Sequence, residues 1–211
     1  MRRLVLIALC VSATACSKAD APPATTVALP SAAAPNGAPA ASGTVAGTGP
    51  APSAAGAVVV VLEPRGARTF SPQSEKPVMD QAGLMFGPEL LFVRTGQPVE
   101  FRNSDDTLHN VRVSHEETRS SSFNVAIPTG ESYTYTFERD GFYRVGCDIH
   151  PAMTASVFAS VSPFVTLAGA DGSFTFADVP VGSWTVTIYA GGKRLRKDVE
   201  VTGGVTNVTV E

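Results

Sequence analysis

The chain has 211 residues, enough for one or two domains, with a formal net charge of −3, 16 prolines and 19 glycines. It has neither the basic stretch that binds nucleic acid nor an acidic tail, so nucleic-acid binding is not expected. The proline and glycine content indicates a turn-rich β protein with a flexible segment.

Residues 1–15 have the pattern of a secretion signal. Arg2 and Arg3 form a positive start, residues 4–11 form an apolar run, and small residues follow. The apolar run is too short to span a bilayer as a mature helix. The sequence therefore predicts export to the cell envelope.

The signal ends in Ala13-Thr14-Ala15 and is followed by Cys16. This run resembles a bacterial lipobox, which implies that Cys16 is lipidated, becomes the mature N-terminus and anchors the protein to a membrane. Ser17 after the cysteine resembles lipoproteins sorted to the outer membrane, where a cell has one. Cleavage by an ordinary signal peptidase, giving a secreted periplasmic protein, remains the alternative.

Residues 16–57 consist almost entirely of Ala, Pro, Gly, Ser and Thr, with Lys18 and Asp20 as the only charges. Such a segment buries too little apolar surface to offset the entropy lost on ordering. We predict a disordered linker over 16–57 that joins the anchor to a folded head.

From residue 57 the chain changes to short apolar runs separated by Gly, Asn and Asp turns. Residues 57–62 and 89–94 read as strands, and residues 132–137 alternate between polar and aromatic side chains. No window has a helical period, so the pattern predicts an all-β fold of the sandwich type. We place one domain at 58–161 and a second β part at 162–211.

The last part contains a hairpin turn at Asp171-Gly172, followed by a second turn at residues 180–182. This run, from Asp171 to Gly182, resembles the carboxypeptidase regulatory-like β-domain. The resemblance implies a small antiparallel β-sandwich, in which Trp184 is expected to be a core residue.

The stretch GCDIHPAM at 146–153 contains the only cysteine of the predicted folded part. After loss of the signal, Cys147 has no partner for a disulfide within the domain. A lone thiol in an oxidising compartment is either buried and inert or bonded to something. The neighbours His150 and Met153 on the same short loop favour the second alternative.

A further ligand must come from elsewhere, and the chain has three histidines. His109 follows the turn cluster at residues 103–106, where a strand starts at an end of the sandwich, whereas His115 lies among glutamates and is expected on the solvated surface. Two imidazoles, a thiolate and a thioether form the set that selects copper. We therefore predict a copper site formed by His109, Cys147, His150 and Met153, with Met79 and Met85 as alternatives for the thioether.

The region from about residue 78 to 161 is similar to the cupredoxins, the family of plastocyanin and amicyanin. Four stretches carry the resemblance. Phe86-x-Pro88, Gly96-x-x-Val99-x-Phe101-x-Asn103-x-Asp105 and His109-Asn110-Val111 match the first histidine region of the family, and Gly141-x-Tyr143-x-x-x-Cys147-x-x-His150 matches the second.

The spacing of Met153 after His150 is like that of amicyanin. The family implies a Greek-key β-sandwich and one copper ion in a type 1 site. It also implies that Asn110 hydrogen-bonds to the Cys147 loop, in support of the ligands, and that the His150 edge reaches the surface as the exit for the electron.

These expectations describe a blue copper protein that passes single electrons to a redox partner protein, and not an enzyme. A copper storage, delivery or sensing module needs the same ligands and is the alternative. In a third interpretation, the C-terminal β part is an adhesion or docking module that carries the copper domain.

Overall fold

The computed structural model describes residues 41–54 and 56–211. The predicted signal at 1–15 and the predicted lipidation site Cys16 lie outside these residues. The described part is all-β, as predicted, with strands and no helix. The strands it contains are β1 (Ser42–Thr48), β2 (Val59–Pro64), β3 (Val78–Ala82), β4 (Met85–Gly87), β5 (Leu90–Arg94), β6 (Pro98–Asn103), β7 (His109–His115), β8 (Ser121–Ile127), β9 (Ser132–Thr136), β10 (Gly141–Gly146), β11 (Thr154–Ser160), β12 (Val165–Leu167), β13 (Ser173–Pro180), β14 (Gly182–Ala190), β15 (Lys193–Val201) and β16 (Val205–Thr209).

The described strands form four sheets, which we number in the order in which they stack. Sheet I has the order β4-β3-β6-β9, sheet II β5-β11-β10-β7-β8, sheet III β12-β2-β14-β15, and sheet IV β13-β1-β16. Sheets I and II form the first sandwich, and sheets III and IV form the second. Both sandwiches are mainly antiparallel. Three pairs are parallel: β3 with β6, β5 with β11, and β1 with β16.

The first sandwich has a core built from alternating strand positions. Val99 and Phe101 on β6 point inward, as do Val111 and Val113 on β7, while Arg112 between them is exposed. Because successive side chains of a strand point to opposite faces, this alternation orients each sheet with one face inward. The predicted β-sandwich is confirmed.

Sheet III is covered on both faces. Val60, Leu62 and Trp184 face the core shared with sheet IV, whereas Val59 and Val61 pack on the outer face of sheet II. A strand buried on both sides needs apolar residues at every position, which explains the unbroken run of valines in β2. Each such side chain contributes roughly 1.5–3 kcal/mol by leaving water.

Aromatic side chains of sheet II meet sheet III at this contact. Phe92 and Phe158 on sheet II are buried there, and Tyr189 of β14 packs edge-on against Phe158 at 5.2 Å between ring centroids. Trp184 is fully buried on the other face of sheet III, as predicted, and its indole N–H donates to the Pro180 carbonyl at 2.9 Å. The two sandwiches therefore share a packed apolar interface.

Two predicted boundaries differ from the structure. Strand β2, assigned from the sequence to the domain at 58–161, pairs with β14 and β12 in the second sandwich. The predicted linker at 16–57 contains β1, which pairs with β13 and β16 in sheet IV. The second sandwich is thus completed by residues that precede the first sandwich in the chain.

Strand β1 is rich in small residues because its neighbours come very close. A Cβ on Gly43 would lie 2.3 Å from the carbonyl oxygen of Thr202, and one on Gly47 would lie 2.5 Å from the ring of Phe174. Its one fully buried apolar side chain is Val45. The small residues that indicated a linker therefore also suit a strand with closely packed neighbours.

Among the described residues, no helix has the length and apolar character that crossing a membrane requires.

Candidate metal centre

Four connections between strands meet at one end of the first sandwich. They comprise residues 83–84, 104–108, 128–131 and 147–153. The buried Asn103 joins two of them, since its side-chain amide donates to the carbonyls of Thr107 and Ile127 at 2.8 Å each, and its backbone N–H donates to the Glu131 carbonyl. The loops that carry the predicted ligands are therefore held together by hydrogen bonds.

Three predicted ligands converge at this end. His109 begins β7, Cys147 directly follows β10, and His150 lies in the loop before β11. The two Nδ1 atoms are 3.0 Å apart, and Cys147 Sγ is 3.9 Å from each of them. The point in their plane that is equidistant from the three atoms lies about 2.1 Å from each, which is a metal–ligand distance. The three side chains fit around one metal ion.

A hydrogen bond with Asp105, on the side of the ring opposite to the other candidate ligands, fixes the orientation of His109. Its Nε2 lies 2.8 Å from Asp105 Oδ2, and because a carboxylate only accepts, the ring proton sits on Nε2. The lone pair of Nδ1 therefore points at Cys147 and His150. A carboxylate behind a histidine also increases the basicity of the ring towards a metal.

Backbone groups of the turn between β3 and β4 hold the Asp105 carboxylate in place. The backbone N–H of Leu84 donates to Asp105 Oδ2 at 3.0 Å, and the N–H of Gly83 donates to Oδ1. The hydrogen bond from Leu84 is the largest cause of the lowered pKa of Asp105. Burial opposes it, and the bonds with His109 and Gly83 lower the pKa further. The carboxylate stays ionised in its acceptor role at neutral pH.

The Cys147 loop is closed by backbone bonds. The N–H of Met153 donates to the His150 carbonyl at 2.9 Å, and the N–H of Cys147 donates to the Met153 carbonyl at 3.2 Å. Asn110 Oδ1 accepts from the N–H of Asp148 at 2.7 Å and lies 3.3 Å from Cys147 Sγ. The histidine strand and the cysteine loop are thus joined beside the sulfur.

A charged network extends from Asn110. Its amide nitrogen donates to Asn124 Oδ1 and Asp148 Oδ2, and Arg112 Nε donates to Asp148 Oδ1 at 2.7 Å. The bond from Arg112 is the largest cause of the lowered pKa of Asp148. A carboxylate and a guanidinium are therefore fixed next to the loop that contains the thiol.

The thioether candidates differ in their environment. Met153 and Met79 are buried in the same apolar core as Cys147, whereas Met85 is 66% exposed. Burial of Met153 beside the cysteine agrees with the predicted set of two imidazoles, one thiolate and one thioether. This donor chemistry favours copper over zinc, which has no need of a methionine.

The two candidate histidines differ in exposure. His109 is fully buried, and His150 is partly exposed in a loop whose neighbours Ile149, Pro151 and Ala152 are exposed. One candidate ligand is therefore partly exposed, next to the uncharged residues Ile149, Pro151 and Ala152.

The expectation that His115 lies on the solvated surface is wrong. His115 is buried, its ring packs edge-on against Tyr143 at 4.8 Å, and its Nδ1 accepts from the Thr118 N–H while Nε2 lies 3.3 Å from the Asp140 carbonyl. Both ring nitrogens are used in structural bonds at the end of β7 far from Cys147. The flanking glutamates gave the misleading signal, because the alternation of β7 buries residue 115.

Sequence reasoning missed several supporting residues, namely Asp105, Asn124, Asp148 and Arg112. Asp105 stands in the turn cluster at residues 103–106, and its position four residues before His109 is the one signal for a carboxylate behind the ring. Asn124 lies in another strand, β8, and nothing in its local sequence points to Asp148.

The segment that contains the site matches one family of known proteins. Residues 74–160 match the sequence model of copper binding proteins of the plastocyanin/azurin family, which confirms the predicted resemblance over that segment. The match ends at residue 160, so the resemblance of the C-terminal part to a carboxypeptidase regulatory-like domain stays a prediction. A search of curated protein sequences finds no match.

Solved structures similar to the chain include several cupredoxins. A copper(I) form of an amicyanin variant is 23% identical over 40% of this chain and 82% of its own, with a TM-score of 0.37. A purple cupredoxin from Nitrosopumilus maritimus is 22% identical over 40% of this chain and all of its own, with a TM-score of 0.36. A copper-containing nitrite reductase from Thermus scotoductus SA-01 is 25% identical over 46% of this chain and 25% of its own, with a TM-score of 0.38.

Proposed function

We propose that the chain, whose residues 74–160 form a copper-binding domain of the plastocyanin/azurin type, is a one-electron carrier with a single type 1 copper site. The observation that carries the proposal is the convergence of His109 Nδ1, Cys147 Sγ and His150 Nδ1 around one point. Bound copper would supply the one-electron chemistry of the Cu(I)/Cu(II) couple.

Each ligand has a separate role in this proposal. His109 is held from behind by Asp105, Cys147 provides the thiolate, and Met153 provides a weak thioether from the buried core. His150 would bind through Nδ1, and its side chain is partly exposed. One ligand therefore connects the buried centre to a partner.

The supporting bonds favour a carrier over a module that releases copper. Asn103, Asn110 and Asp105 fix the loops by hydrogen bonds that do not depend on a metal. Ligands held in one arrangement in both oxidation states need little reorganisation, and a buried thiol exchanges its metal slowly. We propose a carrier and not an enzyme, since the proposal assigns no bond-making or bond-breaking step to the chain.

We also propose that the protein works in the bacterial cell envelope, attached to a membrane through a lipid on Cys16. The support is the signal-like sequence at 1–15 and the lipobox-like run before the cysteine. Membrane fractionation of cells that express the wild type and Cys16→Ser tests it. We expect the wild type to stay with the membranes and the variant to be released from them. A soluble wild type would contradict the lipid anchor.

The copper proposal is tested by titrating the purified protein with Cu(II) and recording visible absorption and electron paramagnetic resonance. We expect one copper per chain, an intense thiolate-to-copper band and a type 1 signal. The reduced protein is then mixed with a Cu(I) chelator, and electron self-exchange is measured alongside. Retained copper with rapid exchange supports the carrier, whereas rapid loss of Cu(I) with negligible exchange would favour copper delivery.

A further inference from the structure

Three donors from two neighbouring strands hold the residue that directly follows Cys147. Asp148 Oδ1 accepts from Arg112 Nε on β7 at 2.7 Å. Its Oδ2 accepts from Asn124 Nδ2 on β8 at 3.0 Å and from Asn110 Nδ2 on β7 at 3.2 Å. We call these four side chains the Asp148 cluster. Hydrogen bonds to an ionised group are stronger than neutral ones, which favours the cluster although the Asp148 side chain is 48% exposed.

Asn124 is the member of the Asp148 cluster that lies on a strand without a predicted ligand. It is on β8, at the edge of sheet II, directly opposite Arg112 on β7. Its Oδ1 accepts from Asn110 Nδ2 at 2.8 Å, while its Nδ2 donates to Asp148. An amide offers both an acceptor and donors, whereas a carboxylate only accepts. The position therefore requires the polarity of an amide and not only its shape.

Through Asn110, the Asn124 amide acts on the cysteine loop. Asn110 Nδ2 donates to Asn124 and Asp148, which leaves its Oδ1 for the loop. This oxygen accepts from the backbone N–H of Asp148 at 2.7 Å and of Ile149 at 3.3 Å, and it lies 3.3 Å from Cys147 Sγ. Asn124 therefore binds both the side chain that holds the loop backbone and a side chain of the loop itself.

The bonds of Asn124 use no atom that would bind copper. Its partners are an amide and a carboxylate, whereas the candidate donor atoms are His109 Nδ1, His150 Nδ1 and Cys147 Sγ. The Asp148 cluster can thus form with or without a metal. Ligands that are already in place lose little conformational freedom when the metal binds, which increases affinity.

We infer that Asn124 is a positioning residue of the copper site. It fixes Asn110 and Asp148, and through them the loop that carries two of the ligands. The inference rests on the proposed copper site and adds to it a residue that contacts none of the ligands. A purely structural side chain at this exposed position would affect only the stability of the fold. A positioning residue must also affect copper binding and the protection of the loop amides in the metal-free protein.

The test is the substitution Asn124→Asp in the full chain. Aspartate has nearly the same shape and keeps the acceptor for Asn110, but it places a carboxylate oxygen beside Asp148 Oδ2, where the wild type has a donor at 3.0 Å. In the metal-free protein, we expect the backbone amide hydrogens of Asp148 and Ile149 to exchange with solvent several-fold faster, as measured by NMR. In the loaded protein, copper affinity measured by chelator competition should fall about tenfold, the lower end of the range for residues that support metal ligands.

A second variant restores the bond with its direction reversed. In Asn124→Asp/Asp148→Asn, the amide at 148 donates to the carboxylate at 124, its oxygen still accepts from Arg112, and the net charge equals that of the wild type. We expect most of the amide protection and most of the copper affinity to return. The control is Ser121→Asp, which adds the same charge as Asn124→Asp at an exposed position of the same strand. It should behave as the wild type does.

Three outcomes would overturn the positioning role and leave the copper function standing. They are unchanged amide exchange and copper affinity in Asn124→Asp, equal losses in Ser121→Asp, and a folded double variant that recovers neither property. A wild type that gives no type 1 spectrum with copper would instead overturn the proposed function. Amide exchange in the metal-free variants would then still decide whether Asn124 holds the loop.

Discussion

The two ends of strand β7 make the clearest comparison in the molecule, because each end carries a buried histidine. His109 is fully buried and His115 is 5% exposed. At His115 both ring nitrogens are occupied by neighbouring backbone groups. At His109 only Nε2 is occupied, by Asp105, and Nδ1 faces the nitrogen of a second imidazole and a thiol sulfur.

The comparison shows that burial does not distinguish a metal ligand from a structural histidine. The difference lies in the neighbours of the ring nitrogens. A metal ligand has one nitrogen, here Nδ1 of His109, whose only neighbours are other potential ligands. Two imidazole nitrogens at 3.0 Å must share a proton or a metal, and the nearby sulfur favours the metal. Four predictions, from the largest expected effect to the smallest, test this distinction.

The largest effect is expected at the sulfur. Cys147→Ser should abolish the intense visible band of the copper-loaded protein, because no other cysteine lies in the described part of the chain. Serine is close in shape, so circular dichroism of the metal-free variant should match the wild type. An intense thiolate band that persists in the variant would show that the ligand assignment is wrong.

The histidines at the two ends of β7 should respond in opposite ways. His109→Ala should lower copper affinity strongly, measured by chelator competition, with a smaller effect on folding. His115→Ala should leave the copper spectrum unchanged, but it should lower the free energy of unfolding by on the order of 2 kcal/mol. The loss comes from the ring contact with Tyr143 and from leaving the Thr118 N–H without its acceptor. The comparison fails if His115→Ala removes the copper and His109→Ala keeps it.

Asp105→Asn should weaken copper binding about 10–100-fold, the range found when the partner behind a ligating histidine is lost. An amide is a weaker acceptor than a carboxylate, so the proton on His109 Nε2 is held less firmly. Competition with a chelator measures the affinity. Asp106→Asn is the control, since its exposed neighbouring carboxylate has no contact with His109, and an equal loss there would refute the positioning role.

The smallest effects are expected from the charges beside the Cys147 loop, and they should have opposite signs. The negative charge of Asp148 stabilises the oxidised site, which is more positive, relative to the reduced site. Asp148→Asn removes this charge, so the reduction potential should rise. Arg112→Gln removes the compensating cation, so the potential should fall. Voltammetry at matched salt measures both shifts, and two shifts of the same sign would exclude this electrostatic account.

The sequence was sufficient to predict the candidate ligands because their chemistry is local. A cysteine without a disulfide partner stands three residues before His150 and six before Met153, and only one other histidine begins a strand after a turn cluster. The alternation in residues 132–137 likewise predicted a strand, and the structure has β9 there with Tyr133 and Tyr135 partly buried. Both predictions depend only on the spacing of residues that are close in the sequence, so they did not require knowledge of tertiary contacts.

The tertiary structure alone decided which residues complete each sandwich. Strand β1 pairs with β13 and β16, and β2 pairs with β14, across more than a hundred residues of intervening chain. Composition cannot show that small residues at 43 and 47 are required by the approach of Thr202 and Phe174. The role of His115 was also hidden, because its Nε2 lies beside the Asp140 carbonyl, a distant backbone group that only the fold brings there.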